Sequence, residues 1–239
     1  GKASEVGFVS GIRKTVVDTN EETEAQSKLE LIQGAGDANN LVFATKSAVR
    51  VMTDEMVVNH NVLVLPNVRD AAITDMVKTR IEAYGKALYI MDIPFYNYSS
   101  ERLFVDEKGK SDGRPDVDST SAKFDSREVN SSYVTTYFPD VMVQDSSDNE
   151  EGAVNSRRSI KVPSSIVALG ALAKTDNISS PWFAPAGFSR GALETITSTD
   201  VRLNAEDRDT LYEARINPIA NFPNKQFVIF GQKTSQLAR

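Results

Sequence analysis

Residues 62–91 read VLVLPNVRDAAITDMVKTRIEAYGKALYIM, and this stretch decides the fold class. Its first apolar run ends at Pro66, as is typical of a strand buried on both faces. Residues 70–84 then carry apolar side chains at helical spacing up to Gly85, and residues 88–91 form a second apolar run. A strand, a helix and a strand with short connections predict a βαβ unit with adjacent parallel strands. We therefore predict a mixed α/β (α+β) fold in which helices flank a core sheet.

The rest of the chain supplies further elements around this unit. We predict that residues 1–60 form a segment rich in strands and turns or a small inserted domain, and that residues 61–239 form the core domain with a polar insertion at about 97–125. We predict strands near 133–138, 141–143, 219–222 and 226–230, and helices near 126–133, 166–174 and 204–214. Ser164 or Ser165 is expected to cap the second of these helices, and Gly170 within it predicts close helix packing.

Composition and charge restrict the classes of function. Of 239 residues 40% are hydrophobic and 25% are charged, which is typical of a globular protein. A formal net charge of −6 disfavours nucleic acid as a direct partner. The sequence has no cysteine for disulfides or thiolate chemistry and only one histidine, His60. No apolar run approaches the roughly 20 residues that span a bilayer, so we expect no membrane insertion.

The two ends of the sequence predict a fragment of a longer protein. The chain begins with Gly1 and Lys2, and it stops at Ala238 and Arg239. A trypsin-like protease would leave such ends, so we expect a protease-resistant core.

The segment 180–193, SPWFAPAGFSRGAL, has the most unusual composition in the chain. It holds the only tryptophan, Trp182, together with two prolines and two glycines. Proline fixes φ, and glycine opens backbone conformations that other residues avoid. We predict a constrained loop in which Trp182 is buried against the core and Arg190 pairs with an acidic core residue. The alternatives are that Trp182 is an interface residue and that Arg190 forms a salt bridge between subunits.

Residues 187–191 of this loop also match the G-x-S-x-G pattern of serine hydrolases. A hydrolase that uses Ser189 is therefore one alternative function. In such enzymes a strand precedes the serine and the histidine follows it, whereas prolines precede Ser189 and His60 lies upstream. The acidic loops at 106–118 and 145–151 depart from the EF-hand spacing, and neither a P-loop nor a dinucleotide fingerprint occurs. We predict no enzyme activity, no cofactor and no metal.

Several short motifs stand in a recognisable order. The motif residues are Pro181, Trp182, Ala184, Pro185, Ala186, Gly187, Arg190 and Gly191, followed by Ile216 and Asn217. Further landmarks lie at 63–66, 91–94, 137–139, 162–165 and 230–234. In this order the chain resembles the contractile tail sheath proteins of myovirus-type phages and related contractile injection systems. The resemblance covers residues 62–94 and 131–239, and the family continues beyond it into a C-terminal segment that is missing here.

The resemblance implies a structural role. Sheath subunits polymerise as stacked hexameric rings around an inner tail tube and contract to drive the tube through the host envelope for genome delivery. The expected partners are further copies of the chain, the tail tube protein, the baseplate and the tail terminator. The expected location is the virion tail, after assembly in the host cytoplasm. The fragment alone is expected to be monomeric. A non-contractile structural or adhesive virion protein, with 97–125 as its outer surface, remains an alternative.

Overall fold

The computed structural model describes residues 40–103, 113–144, 159–180, 182–223 and 226–237. The helices are α1 (Asn40–Met52), α2 (Ala71–Tyr84), α3 (Val117–Asp125), α4 (Ser164–Ile178), α5 (Gly187–Arg190) and α6 (Ala205–Glu213). The strands are β1 (Val62–Val64), β2 (Leu88–Met91), β3 (Val134–Phe138), β4 (Val141–Gln144), β5 (Ser159–Val162), β6 (Ala192–Leu193), β7 (Ile196–Thr199), β8 (Asn217–Asn221) and β9 (Phe227–Ile229).

The strands form two sheets. The main sheet has the order β1-β2-β3-β8-β9-β6, in which the first four strands are parallel and the last two pairings are antiparallel. The small sheet has the order β5-β4-β7 and is antiparallel throughout. Helices accompany the parallel strands, so the predicted mixed α/β (α+β) class is confirmed.

The predicted βαβ unit is confirmed in detail. β1 and β2 are adjacent and parallel. The Asp70 carboxylate accepts a hydrogen bond from the Ala72 amide at the start of α2, and Gly85 ends the helix with φ at +66°. Such a φ favours glycine, which has no Cβ to clash with the backbone. β1 differs from the prediction because it is an edge strand, and only its central residue, Leu63, is fully buried.

Two helices lie where the sequence favoured other structure. Residues 126–133 were expected to be helical, but the helix is α3 at Val117–Asp125, inside the segment predicted to be a polar insertion. Its Val117 and Phe124 are buried in the core, and the buried Ser121 hydroxyl donates to the Val117 carbonyl at 2.6 Å. Because the carbonyl groups of the helix accept hydrogen bonds from such hydroxyls, a helix with a polar sequence can be buried in the core. Residues 40–52, expected to be strand or helix within a turn-rich segment, form α1, while residues 1–39 and 104–112 lie outside the described residues.

The predicted helix after Pro163 is confirmed as α4, but two details were wrong. Neither serine caps the helix, because the hydroxyls of Ser164 and Ser165 bond to other elements. Their backbone amides donate instead to the carboxylates of Asp140 and Asp92. Gly170 does not mark close packing, since a Cβ built there would have no atom within 4 Å. This glycine faces outward.

The C-terminal elements follow the prediction closely. Asn204 and Asp207 form a reciprocal capping box at the start of α6, with the Asp207 amide donating to Asn204 Oδ1 at 2.7 Å. The two final strands are β8 and β9, which pair as antiparallel neighbours. Within the described part of the chain, no helix is long and apolar enough to cross a bilayer.

Candidate functional site

The loop at 182–191 lies directly on the edge of the main sheet. The Gly191 carbonyl accepts a hydrogen bond from the Ile229 amide of β9 at 2.9 Å. A Cβ built on Gly191 would lie 2.8 Å from the Ile229 carbonyl oxygen and 2.9 Å from Ala186 Cα. The backbone therefore packs against β9 with no space for a side chain between them.

Trp182 is 80% exposed, so its predicted burial is wrong. The loop contacts the rest of the fold through the buried residues Pro185 and Gly191 and leaves the indole outside. Pro185 supplies the buried side chain of the loop, and Pro181 lies outside the described residues. Trp182 extends into solvent beside Phe183, with 6.3 Å between the ring centroids.

Arg190 does not have the predicted acidic partner. Its guanidinium lies 4.1 Å from the centroid of the Phe183 ring, and no carboxylate of the described residues forms a salt bridge with it. A guanidinium over an aromatic face is a stabilising cation–π contact. This contact fixes the orientation of Phe183 next to the exposed tryptophan.

Further aromatic side chains continue this exposed region. Phe188 contacts Phe230 at 6.5 Å between ring centroids. A surface cavity of about 480 Å³ is lined by Ala186, Gly187, Tyr212 and Phe230, among others. We define the aromatic surface as the exposed side chains Trp182, Phe183, Phe188, Tyr212 and Phe230. Exposed apolar patches of this kind mark interaction sites.

Replacing Trp182 by alanine is expected to change the free energy of unfolding by no more than about 0.5 kcal/mol, because the side chain is largely in solvent. Urea denaturation measures this effect. Phe138, which is fully buried, provides the control: its replacement by alanine is expected to cost about 3–5 kcal/mol. A comparable loss for both variants would mean that Trp182 is buried in solution.

Ile216 and Asn217 lie inside the fold. Asn217 Nδ2 donates to the Thr136 carbonyl at 3.0 Å and to the Lys233 carbonyl at 2.9 Å, and the Lys233 amide donates to Asn217 Oδ1 at 2.6 Å. One buried amide therefore joins β3, β8 and the C-terminal segment. Two of the sequence landmarks, at 216–217 and 230–234, meet at this point. Both landmarks therefore have a structural role.

A second group of polar residues, which sequence reasoning missed, joins the two sheets. We define the charge joint as Arg69 before α2, Asp92 after β2, Asp140 after β3, Lys161 on β5, Ser164 and Ser165 at the start of α4, and Asp200 after β7. Arg69 Nη2 lies 2.6 Å from Asp140 Oδ2, and Lys161 Nζ lies 3.8 Å from the same oxygen. Lys161 also forms a salt bridge with Asp200.

The charge joint lies where open α/β sheets commonly bind ligands, beyond the carboxyl ends of parallel strands. Here the position is filled by the chain itself. Arg69 is buried, and its guanidinium lies 4.3 Å from the Phe95 ring centroid. The landmarks at 91–94, 137–139 and 162–165 all meet at this joint. An aspartate or serine stands within two residues of a proline at the end of each of these strands, a signal that could have indicated the joint.

The geometry gives no support to a hydrolase that uses Ser189. Ser189 lies on α5, which leads into β6 at one edge of the main sheet. His60 precedes β1 at the opposite edge and stacks on Tyr84 with 4.9 Å between ring centroids. In the described ranges, no three histidine, cysteine, aspartate or glutamate side chains gather as a potential metal site.

Comparison with known proteins gives the family. Residues 44–235 match the family described as the phage tail sheath protein central domain. The chain belongs to this family. The matched range contains every strand and helix from β1 to β9, the aromatic surface and the charge joint. Membership places the chain among the structural proteins of the phage tail.

Two curated relatives are tail sheath proteins. That of Vibrio phage KVP40 is 42% identical over 66 residues, which are 28% of this sheath chain and 10% of the relative. That of Enterobacteria phage T4 is 34% identical over 74 residues, which are 31% of this chain and 11% of the relative. The aligned segments thus span about a tenth of the length of these relatives.

Two solved structures share the fold. One is the cryo-EM structure of the anti-feeding prophage baseplate, which matches with a TM-score of 0.54 over 95% of this chain and 53% of that chain. The other is the helical sheath of the same particle in its contracted state, with a TM-score of 0.50 over 82% of this chain and 44% of that chain. At 18% sequence identity, both likenesses concern the fold alone.

Proposed function

We propose that this chain is the central part of a contractile sheath subunit. The complete subunit polymerises as stacked hexameric rings around the tail tube and contracts to drive the tube through the host envelope for genome delivery. The family match over residues 44–235 carries the proposal. The likeness of the fold to a helical sheath solved in its contracted state supports it.

Contraction requires a subunit that rotates without deforming, because the two states differ in how rigid subunits pack. The charge joint favours such rigidity, since Arg69 connects the end of β3 to the segment before α2 through a 2.6 Å ion pair. Asn217 adds a buried connection between two parallel strands and the C-terminal segment. These contacts suit a part that transmits force.

The proposed partners are further copies of the subunit, the tail tube, the baseplate and the tail terminator. The proposed location is the virion tail after assembly in the host cytoplasm. The similarity of the fold to a chain in the anti-feeding prophage baseplate supports contact with a baseplate. No catalytic step belongs to this role, and the structural character of the family supports its absence.

We place part of the contact between subunits on the aromatic surface. Tryptophan and tyrosine dominate the binding energy of protein interfaces, because they bury a large area with few rotatable bonds. Trp182 projects from a loop whose backbone is fixed on β9, so little conformational entropy is lost when a partner covers it. The loop at 182–191 would then serve assembly as well as folding.

Electron microscopy of the full-length protein that contains this chain tests both parts of the proposal. The purified protein is expected to form tubes, and Trp182→Ala is expected to impair tube formation. Tyr98→Ala is the matched control, since Tyr98 is as exposed but lies between β2 and α3. It is expected to assemble like the wild type.

Two results would count against the proposal in different ways. Full-length protein that stays monomeric at high concentration, without tubes, would contradict the sheath function. Normal tubes from both variants would instead leave the sheath function intact and remove Trp182 from the interface.

A further inference from the structure

The charge joint contains more negative than positive groups. Its cations are Arg69 and Lys161, and its carboxylates are Asp92, Asp140 and Asp200. Asp92 and Asp140 are almost completely buried, and burial makes an uncompensated charge costly. If every group is ionised, one carboxylate is in surplus.

The surplus group is Asp92. Arg69 forms its ion pair with Asp140, and Lys161 forms one with Asp200. In the described part of the chain, no basic side chain lies within salt-bridge distance of Asp92. Its Oδ2 instead accepts from two neutral donors, the Asn67 amide at 2.7 Å and the Ser165 hydroxyl at 2.8 Å.

The other oxygen of Asp92 has weaker partners. Oδ1 lies 3.3 Å from the Ser165 amide and 3.5 Å from Ser164 Oγ. Ser164 has one hydroxyl proton, and the Tyr137 carbonyl is the nearer acceptor for it at 2.9 Å. With that proton donated, Ser164 Oγ can accept a hydrogen bond from a proton on Asp92 Oδ1. The chain of bonds from Asp92 through Ser164 to Tyr137 is then complete.

We propose that Asp92 is a proton switch at the joint between the two sheets. As a neutral acid it donates from Oδ1 to Ser164, and the remaining two cations face two carboxylates. As a carboxylate it gives the joint one surplus negative charge. The single hydroxyl proton of Ser164 then has two competing acceptors, Asp92 Oδ1 and the Tyr137 carbonyl. Acid therefore tightens the connection between β2 and the start of α4. The charged groups that act on Asp92 directly are Arg69 before α2 and Asp140 after β3. Lys161 on β5 and Asp200 after β7 are coupled to those two groups, and the buried Tyr89 hydroxyl of β2 is the further titratable group that interacts with Asp92.

The electrostatics agree with this geometry. Burial raises the pKa of Asp92 above its ordinary value, the charge of Asp140 raises it further, and Arg69 opposes both. Because the folded-state pKa exceeds the unfolded-state value, folding takes up a proton. The resulting stabilisation is complete below the unfolded-state pKa and is lost as the pH rises through the folded-state pKa. Burial also raises the pKa of Asp200. The contribution of Asp92 must therefore be measured as the difference in stability between the wild type and a variant at position 92.

Asp92→Asn provides that difference. The carboxamide is the nearest match to the neutral acid, because Nδ2 can donate to Ser164 Oγ while the remaining oxygen accepts from the Asn67 backbone amide and the Ser165 hydroxyl. Only the long 3.3 Å bond from the Ser165 backbone amide loses its acceptor. At about pH 8 the variant is expected to be more stable than the wild type. Its ratio of folded to unfolded protein should be higher by roughly tenfold for each pH unit by which the folded-state pKa of Asp92 exceeds the unfolded-state pKa. The gain is expected to vanish in acid. Urea denaturation at a series of pH values measures both, with the exposed Asp209→Asn as the control for losing one surface charge.

Two outcomes would overturn the proposal. A variant less stable than the wild type at mildly alkaline pH would mean that the ionised carboxylate is needed. Parallel pH profiles for the variant and the wild type would mean that Asp92 takes up no proton on folding. Infrared spectroscopy adds a direct readout: at a pH above the titration of the exposed carboxyl groups, a protonated-carboxyl band that is stronger in the folded wild type than in Asp92→Asn supports the switch, and identical bands in both contradict it.

Discussion

Asp140→Asn is expected to lower the free energy of unfolding by about 3–5 kcal/mol, the usual effect of breaking a buried ion pair by removing one partner. Arg69 Nη2 lies 2.6 Å from Asp140 Oδ2, and the two side chains are only 9% and 3% exposed. Without the carboxylate, the buried guanidinium would lose its ion-pair partner, since Asp92, the other carboxyl group that acts on it, lies beyond salt-bridge distance. Lys161, 3.8 Å from the same oxygen, would also lose a neighbour.

Urea denaturation measures the loss, and Asp75→Asn is the matched control. Asp75 pairs with Arg127 at 2.6 Å, but its side chain is 58% exposed, so its loss is expected to cost no more than about 1 kcal/mol. The double variant that combines Asp140→Asn with Arg69→Met is expected to lose less free energy of unfolding than the sum of the two single variants. Equal effects for Asp140→Asn and Asp75→Asn would contradict the burial of the joint.

Gly191→Ala is expected to destabilise the protein by about 1–3 kcal/mol, as overpacking of a closely packed site does. The new Cβ would lie 2.8 Å from the Ile229 carbonyl oxygen and 2.9 Å from Ala186 Cα. Both are backbone atoms, so no side-chain rotation can relieve the clash. The loop must move away from β9, which weakens the pairing of β6 with β9 and shifts the aromatic surface.

Gly170→Ala is the matched control for this substitution and should have the opposite sign. Gly170 lies inside α4 with no atom within 4 Å of a built Cβ, so alanine is expected to stabilise the helix by up to about 1 kcal/mol. Thermal or urea denaturation of the two variants gives the comparison. Stabilisation by both substitutions would mean that the loop does not rest on β9.

The sequence predicts the parts of this fold that depend on neighbouring residues. The helix between β1 and β2 follows from apolar spacing and from Gly85, and the start of α6 follows from the Asn204 capping box. The family could also be predicted, because short motifs in the right order indicate a shared fold. In these cases the residues that determine an element lie within the element or next to it in the sequence.

The parts that could not be predicted depend on contacts between distant segments. Tryptophan is a residue type that often packs in cores, but this loop contacts the fold through Pro185 and Gly191 and leaves Trp182 exposed. The charge joint was missed because Arg69 and Asp140 lie 71 residues apart. Likewise, α3 has a polar sequence that gives no apolar stripe, although its hydroxyls pack inside the fold.

The strand order of the main sheet also affects how the chain is made. β3 needs β8 as its neighbour, yet Asn217 of β8 follows its partner Thr135 by 82 residues. At about 5–20 residues per second, a ribosome takes about 4–16 seconds to add that length. Throughout this interval one side of a completely buried strand has no pairing partner, and open apolar edges aggregate. A chaperone that covers the nascent edge during this interval should therefore raise the yield of soluble chain.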